Sequence, residues 1–295
     1  MLTLGTFGIL EVPISFRCNL GCNYCSHMSP RMSHAPFVSV DELERMFQDW
    51  QPRLAPRYVR IIGGETLLHP QIEEVIEVFA KHWGREVSAW AGIELVTNGS
   101  LLDQMKSMPG GQPSFFEQLA KHNIMLRVSL HHTAFRERLD RILADIHSPK
   151  AVSDYAHDHA FHKWYDMVDG NPQLFRSQCS TANQLCYVKR TCHELIDNQL
   201  YHCSVLAYFR KAHELGVIND ERLLAYQPAT PDMSDAELWE WWHSDFTAIC
   251  ECCPQEREYV PLSEKWNNFD AVDKLYLSTV NNENHKCSET AYWRD

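Results

Sequence analysis

Leu10-Glu-Val-Pro-Ile-Ser-Phe16-Arg-Cys18-Asn-Leu-Gly-Cys22-Asn-Tyr24-Cys25 decides the reading of this chain. Its first half, Leu10 to Phe16, is apolar enough for a buried strand, and its second half places three thiols in one short loop directly after that strand. Three thiolates on one loop can wrap one corner of a cubane cluster, and soft sulfur ligands favour iron–sulfur or zinc. No fourth cysteine lies nearby. Electron-transfer clusters and structural zinc sites normally close with four protein ligands, whereas three leave a metal position open for a substrate or cofactor. A structural zinc site is the plain alternative.

Outward from the loop, residues 8–146 alternate strand-like runs with amphipathic helices, the rhythm of a parallel α/β sheet. Ser39-Val-Asp-Glu42 is a capping box opening a helix whose Leu43, Met46, Phe47 and Trp50 share one face. Tyr58 to Ile62 reads as the second strand. A helix follows from about Pro70, with Ile72, Val75, Ile76, Phe79 and Trp83 at helical spacing, and Ile93 to Thr97 is the third strand. Ser114-Phe-Phe-Glu117 caps another helix, Ile124 to Leu130 gives a further strand, and a helix is expected over 133–146. The rhythm stops between Pro149 and about Ser177, which divides the chain into 1–177 and 178–295. Beyond that boundary, Leu195 to Tyr201 reads as a hairpin turning at Asp197-Asn198, and Ser234-Asp-Ala-Glu237 caps a Trp-rich helix leading into Cys250. Trp239, Trp241 and Trp242 cannot all share one helical face, and core packing is expected of them rather than a sugar pocket. His157, His159 and His162 read as a polar loop rather than a metal or substrate site.

With 295 residues, 44% hydrophobic and 22% charged, the chain can bury a sizeable core without disulfides. No apolar run approaches the roughly 18 to 20 residues that span a bilayer. Met1 to Leu10 lacks the basic stretch and cleavage site of a signal peptide, so a reducing cytoplasm is expected. In that setting eleven cysteines read as metal ligands or catalytic groups. After the first three, seven crowd between Cys179 and Cys253 and Cys287 stands alone, which suggests two metal sites. A net charge of −12 repels phosphate backbones and anionic membranes and argues against nucleic acid. A cationic or neutral substrate fits better, although an acidic surface also serves solubility.

The C-x3-C-x2-C spacing, the aromatic Tyr24 before the last cysteine, and the position after a first strand resemble the radical S-adenosylmethionine (radical SAM) superfamily. Further matches follow in the order that family requires. Gly63-Gly64-Glu65 resembles the motif whose backbone and acid hold the methionyl amino group, and Thr97-Asn98-Gly99 resembles the segment that meets the ribose. Ser129-Leu-His131 matches a further cofactor contact. All fall at carboxyl ends of strands, where parallel β/α folds place their sites. The resemblance implies an α/β fold, a partial (β/α)6 barrel, with Cys18, Cys22 and Cys25 holding a [4Fe-4S] cluster that chelates S-adenosylmethionine. It implies cofactor contacts at Tyr24, Gly63, Gly64, Glu65, Asn98, Ser129 and His131, and a flavodoxin- or ferredoxin-type electron donor.

Cys186, Cys192 and Cys203, followed by Cys250-Glu-Cys252-Cys253, resemble the small C-terminal auxiliary-cluster extension called SPASM or, when shortened, twitch. Asn198 stands where that extension carries a glycine, and Asn tolerates the left-handed conformation better than most residues. One auxiliary [4Fe-4S] cluster is expected. Two ligand sets remain open: Cys186, Cys192 and Cys203 with one thiol of the 250–253 group, or two upstream cysteines with Cys250 and Cys253. Cys179 and Cys287 read as inert.

What the resemblance implies for the reaction is hydrogen abstraction by a 5′-deoxyadenosyl radical. If the substrate radical passes an electron to the auxiliary cluster, an alcohol is dehydrogenated; if a thiol returns hydrogen from the opposite face, the product is an epimer. The cluster begins at residue 18, so no leader-peptide-binding domain is expected upstream, and a small polar sugar or aminoglycoside-like substrate is expected. The layout is similar to the family's small, sugar-directed members. Epimerisation with Cys252 or Cys250 as hydrogen donor is expected, because the 250–253 group holds one thiol more than a C-x2-C needs. Modification of a ribosomal peptide is the enzymatic alternative, and a non-catalytic metal-binding module is the alternative of another class.

Overall fold

A computed structural model describes residues 4, 6–84, 92–102, 105, 115–129, 140–141 and 160–261. Strand β1 (Phe7–Ser15) leads into the cysteine loop. Helix α1 (Val40–Trp50) begins at Ser39, which accepts from the Glu42 backbone while the Glu42 side chain accepts from Ser39, the expected capping box. Strand β2 (Pro56–Gly63), helix α2 (Ile72–Trp83) and strand β3 (Gly92–Thr97) follow, then helix α3 (Phe115–Lys121) and strand β4 (Met125–Val128). These repeat the expected order with ends moved by a few residues. The helix expected over 133–146 lies outside the described residues except for 140 and 141.

Further along come the short strands β5 (Ala160–His162), β6 (Asp166–Val168) and β7 (Asn171–Gln173), and helices α4 (Cys179–Leu185) and α5 (Val188–Thr191). Strands β8 (Cys192–Ile196) and β9 (Gln199–Tyr201) make the hairpin, and α6 (Ser204–Glu214), α7 (Asp235–Trp242) and β10 (Tyr259–Pro261) complete the described chain. Asp197 and Asn198 have φ of 51° and 62°, so both central residues of the hairpin turn are left-handed, the geometry that tight hairpins demand.

The principal sheet runs β4-β3-β2-β1-β8-β9 among the described residues. Strands β1 to β4 pair in parallel, β8 joins β1 in parallel, and β9 turns back antiparallel. The α/β fold is therefore present, and its sheet continues across residue 177 into the C-terminal segment. One face is apolar: Leu10, Val12 and Ile14, with Val59, Ile61, Leu95 and Leu126, pack on Phe47 and Trp50 of α1 and Val75 and Phe79 of α2. Each such side chain contributes about 1.5–3 kcal/mol when fully buried. Trp50 Nε1 donates to the Asn198 carbonyl at 3.3 Å and fixes α1 to the hairpin.

The other face carries charge. Glu11, Arg60 and Glu94 are register partners across β1, β2 and β3. Arg60 lies 3.1 Å from Glu11 and 2.6 Å from Glu94, and Arg127 lies 2.9 Å from Glu94. Glu194 of β8 sits opposite Glu11, fully buried, and its pKa is pushed well up by burial and then by the Glu11 charge. Buried charges survive only when paired or neutralised, so this ladder fixes the register of the strands it links. A second core lies around α6, where Val205, Tyr208 and Phe209 meet Phe16, Met28 and Trp164. No helix among the described residues is long and apolar enough to cross a membrane.

Candidate active site

The cysteine loop is built by local hydrogen bonds at the carboxyl end of β1. The Arg17 amide donates to Ser15 Oγ at 2.9 Å, the Leu20 amide points at Cys18 Sγ at 3.4 Å, and the Met28 amide donates to the Cys25 carbonyl at 2.9 Å. Tyr165, from the segment with no readable period, closes the loop from outside: its hydroxyl donates to the Asn23 carbonyl at 2.8 Å and packs its ring 5.8 Å from Tyr24. Cys18 and Cys22, with Asn19, Gly21, Arg31 and Tyr165, line a polar cavity of about 270 Å³. Burial, and after it the Glu65 carboxylate, pushes the Cys18 thiol well up, and burial raises Cys25. Such thiols ionise when a cation arrives, which is how a metal site of this kind loads.

Gly63 and Gly64 lie against the loop's root. The Gly64 amide donates to the Ser15 carbonyl at 2.8 Å and the Glu65 amide to the Arg17 carbonyl at 2.7 Å. A Cβ on Gly63, whose φ is +147°, would stand 2.0 Å from the Ser15 oxygen, and one on Gly64 would stand 2.1 Å from the Arg17 oxygen. The glycines thus let the end of β2 close on the strand that carries the cysteines. Glu65 is completely buried and accepts from Thr97 Oγ1 at 2.5 Å, the Asn98 amide at 2.7 Å and the Leu67 amide at 3.0 Å. Burial raises its pKa against those three donors. Its carboxylate therefore ties the end of β2 to the end of β3, a role beyond the cofactor contact expected of it.

Asn98 reaches the cysteine loop directly. Its Nδ2 lies 3.8 Å from Cys18 Sγ and donates to Asn19 Oδ1 at 2.9 Å, while its Oδ1 accepts from the Ser100 hydroxyl at 2.6 Å. Ser129 sits at the end of β4, its amide donating to the Thr97 carbonyl at 2.8 Å. His131 lies outside the described residues, as do His157, His159 and Cys287. Sequence reasoning passed over Asn19, Ser100 and Tyr165. The first two are small polar residues beside motif positions, which is a signal; Tyr165 had none.

The C-terminal thiols gather differently. Cys186, Cys203, Cys250, Cys252 and Cys253 line one small apolar cavity with Lys189, walled by Leu206 and Phe246 among others. The Cys203 thiol hydrogen-bonds the Cys186 sulfur, holding Cys186 below the usual thiol range and Cys203 well above it. Cys192 does not line that cavity, although it packs against the same second core. It opens β8 opposite Ile9, where burial and then Glu11 push its thiol up to about 12. Among the described residues, no three His, Cys, Asp or Glu side chains converge tightly enough to hold a single metal ion.

The sequence profile of the Radical SAM superfamily matches residues 12–170. The chain belongs to the radical SAM superfamily. GTP 3′,8-cyclases are among its curated relatives: that of Microcystis aeruginosa is 29% identical over 34% of this chain and 30% of its own length. That of Desulforamulus reducens is 33% identical over 33% of this chain and 29% of its own. The chain thus spans about 30% of the length of these relatives. A crystal structure of BtrN in complex with AdoMet and 2-DOIA aligns at 16% identity and TM-score 0.48, covering 88% of this chain and 98% of that one. SuiB of Streptococcus suis bound to precursor peptide SuiA aligns at 12% identity and TM-score 0.39, covering 85% and 72%.

Membership brings a [4Fe-4S] cluster with S-adenosylmethionine, and the donor set suits this radical SAM site. Cys18 and Cys22 border a polar cavity, Cys25 follows on the same loop, and an amide nitrogen is already turned towards Cys18. A tetrahedral zinc, about 2.3 Å from each sulfur, would need the thiols gathered to a point, whereas a cubane carries iron at its outer corners and is served by thiols set around it.

Proposed function

We propose that this radical SAM chain is an oxidoreductase that dehydrogenates a small polar alcohol of sugar or cyclitol type, with a second [4Fe-4S] cluster held by Cys186, Cys203, Cys250 and Cys253. The observation that carries this reading is the shared cavity: these four thiols and Cys252 line it, and Cys192 does not. That favours two upstream ligands plus the Cys250 and Cys253 pair over a set that includes Cys192. Four protein thiols saturate a cluster, which suits electron transfer rather than substrate binding.

When bound, the cluster and S-adenosylmethionine supply a 5′-deoxyadenosyl radical that takes hydrogen from an unactivated C–H bond, and a second cluster supplies a one-electron acceptor. The chain's own residues do the positioning. Cys18, Cys22 and Cys25 leave one metal position open. Asn98, braced by Asn19 and Ser100, presents its amide beside Cys18. The Arg60, Glu94 and Arg127 ladder gives the charged face of the sheet the means to hold a polar substrate.

Epimerisation is a second reading, favoured by one thiol beyond the four. Cys252 is 1% exposed, and burial, offset in part by Arg222, holds its pKa at about 12, so it stays an S–H group, the form a hydrogen donor needs. Cys250, as one half of the C-x2-C pair with Cys253, is read as a ligand.

The test is anaerobic reconstitution, with iron and sulfide counted and a panel of aminocyclitols and sugars offered with S-adenosylmethionine and a reductant. About eight irons, cofactor cleavage and a product lighter by two hydrogens are expected. A product isomeric with the substrate, one mass unit heavier in deuterated water through a single solvent-derived deuterium and lost in Cys252→Ala, would replace dehydrogenation by epimerisation. Zinc in place of iron, with no cleavage, would contradict both.

A further inference from the structure

Lys189 has the only ionic side chain, apart from the thiols, among the described residues lining the cavity that holds the C-terminal thiols. An ammonium facing an otherwise apolar wall is costly to desolvate unless it answers negative charge. Its Nζ donates to Asn183 Oδ1 on α4. An ammonium has no acceptor, so it fixes the orientation of the amide: oxygen towards Lys189, nitrogen away from it. The nitrogen so directed lies 3.5 Å from Cys250 Sγ and 3.3 Å from Thr247 Oγ1. Lys189 lines the same cavity as Cys186 and Cys250, so its charge stands beside the thiol set. One side chain therefore acts on the thiol set twice, by its field and through an oriented N–H donor.

We propose that Lys189, with Asn183 as its relay, is a positioning residue that sets the reduction potential of the auxiliary cluster and poises it to accept an electron. The inference rests on the reading that Cys186, Cys203, Cys250 and Cys253 hold that cluster. Reduction adds negative charge, and nearby positive charge and hydrogen bonds to sulfur stabilise the reduced state, so both raise the potential. A dry wall of Leu206, Phe209, Phe246 and Ile249 keeps the interaction unscreened.

The experiment uses the full chain with Cys18, Cys22 and Cys25 all replaced by Ala, so that only the second site can load. Its redox midpoint is measured by optical and EPR titration. Lys189→Met should shift the reduced-to-oxidised ratio about tenfold towards oxidised, 59 mV for one electron, at unchanged iron content. Lys189→Arg should restore most of that shift, and Asn183→Leu should give a smaller shift of the same sign. If Lys189→Met kept its iron and its potential, the inference would be overturned while the ligand assignment stood. Should Lys189→Met lose iron, Lys189→Arg and Asn183→Leu decide, and unchanged potential in Asn183→Leu overturns the relay. A parent protein that binds no iron would overturn the ligand assignment and the inference together.

Discussion

The two groups of thiols in this chain are brought together by opposite routes. At the first, Cys18, Cys22 and Cys25 share one loop, and the rest of the chain supplies braces: two glycines at the root, Glu65 behind, Asn98 beside, Tyr165 outside. At the second, the thiols come from three places. Cys186 follows α4, Cys203 sits between the hairpin and α6, and Cys250 and Cys253 bracket the end of a 3-10 turn over Thr247–Cys252. A contiguous loop can be assembled by local bonds, whereas a dispersed set exists only once the surrounding core has packed. The first site therefore depends on close backbone approach, and the second on tertiary structure.

Breaking a ligand at the first site gives the largest effect. Cys22→Ala should lower 5′-deoxyadenosine formation by more than roughly 100-fold, as loss of a direct ligand must exceed loss of an outer partner. Measurable turnover within tenfold of the parent would remove the loop from the chemistry. The second site separates its cysteines. Cys203→Ala should lose about four irons and keep cofactor cleavage, while Cys192→Ala, outside the thiol cavity, should keep both. Equal iron loss in the two variants would restore Cys192 as a ligand.

Next in size is the backbone. Gly64→Ala drives a Cβ into the Arg17 carbonyl at 2.1 Å and should cost about 1–3 kcal/mol, seen as a Tm lower by several degrees and weaker cofactor cleavage. An unchanged Tm would mean that the root of the loop is not held by close approach.

The smallest effect belongs to the charged face. Burial raises the pKa of Glu94, but hydrogen bonds from Arg127 and Arg60 outweigh it and hold the group below its ordinary value. A depressed pKa contributes stability above the unfolded-state value of about 4.3 that is lost as pH falls through the folded-state value, at roughly 1.4 kcal/mol per unit of depression. Glu94→Gln should flatten the acid limb of stability below about pH 4.3, read by denaturant titration across pH. An acid limb as steep as the parent's would show the ladder to be electrostatically idle.

What the sequence disclosed follows the same contrast. The first four strands, α1 with its capping box, and the cysteine loop were legible because period, cap and motif are local signals. The left-handed Asn198 was legible because the turn chemistry is local too. Helix α6 was not assigned, although its Val205, Tyr208 and Phe209 centre the second core, because it is buried on much of its circumference and shows little contrast between faces. The joining of β8 to β1 was also hidden: a parallel partner some 180 residues away leaves no local mark. Cys192 shows the limit most plainly: spacing left open whether it joins Cys186 and Cys203, and only the packed structure shows that the cavity those two line does not include it.

The most direct test of the account is the iron and sulfide content of the anaerobically reconstituted full chain in which Cys18, Cys22 and Cys25 are all Ala. About four irons with the absorption and EPR of a [4Fe-4S] cluster are predicted, and further replacement of Cys203 by Ala should abolish them. No iron in the triple variant, or iron that survives the loss of Cys203, would contradict the second site as described.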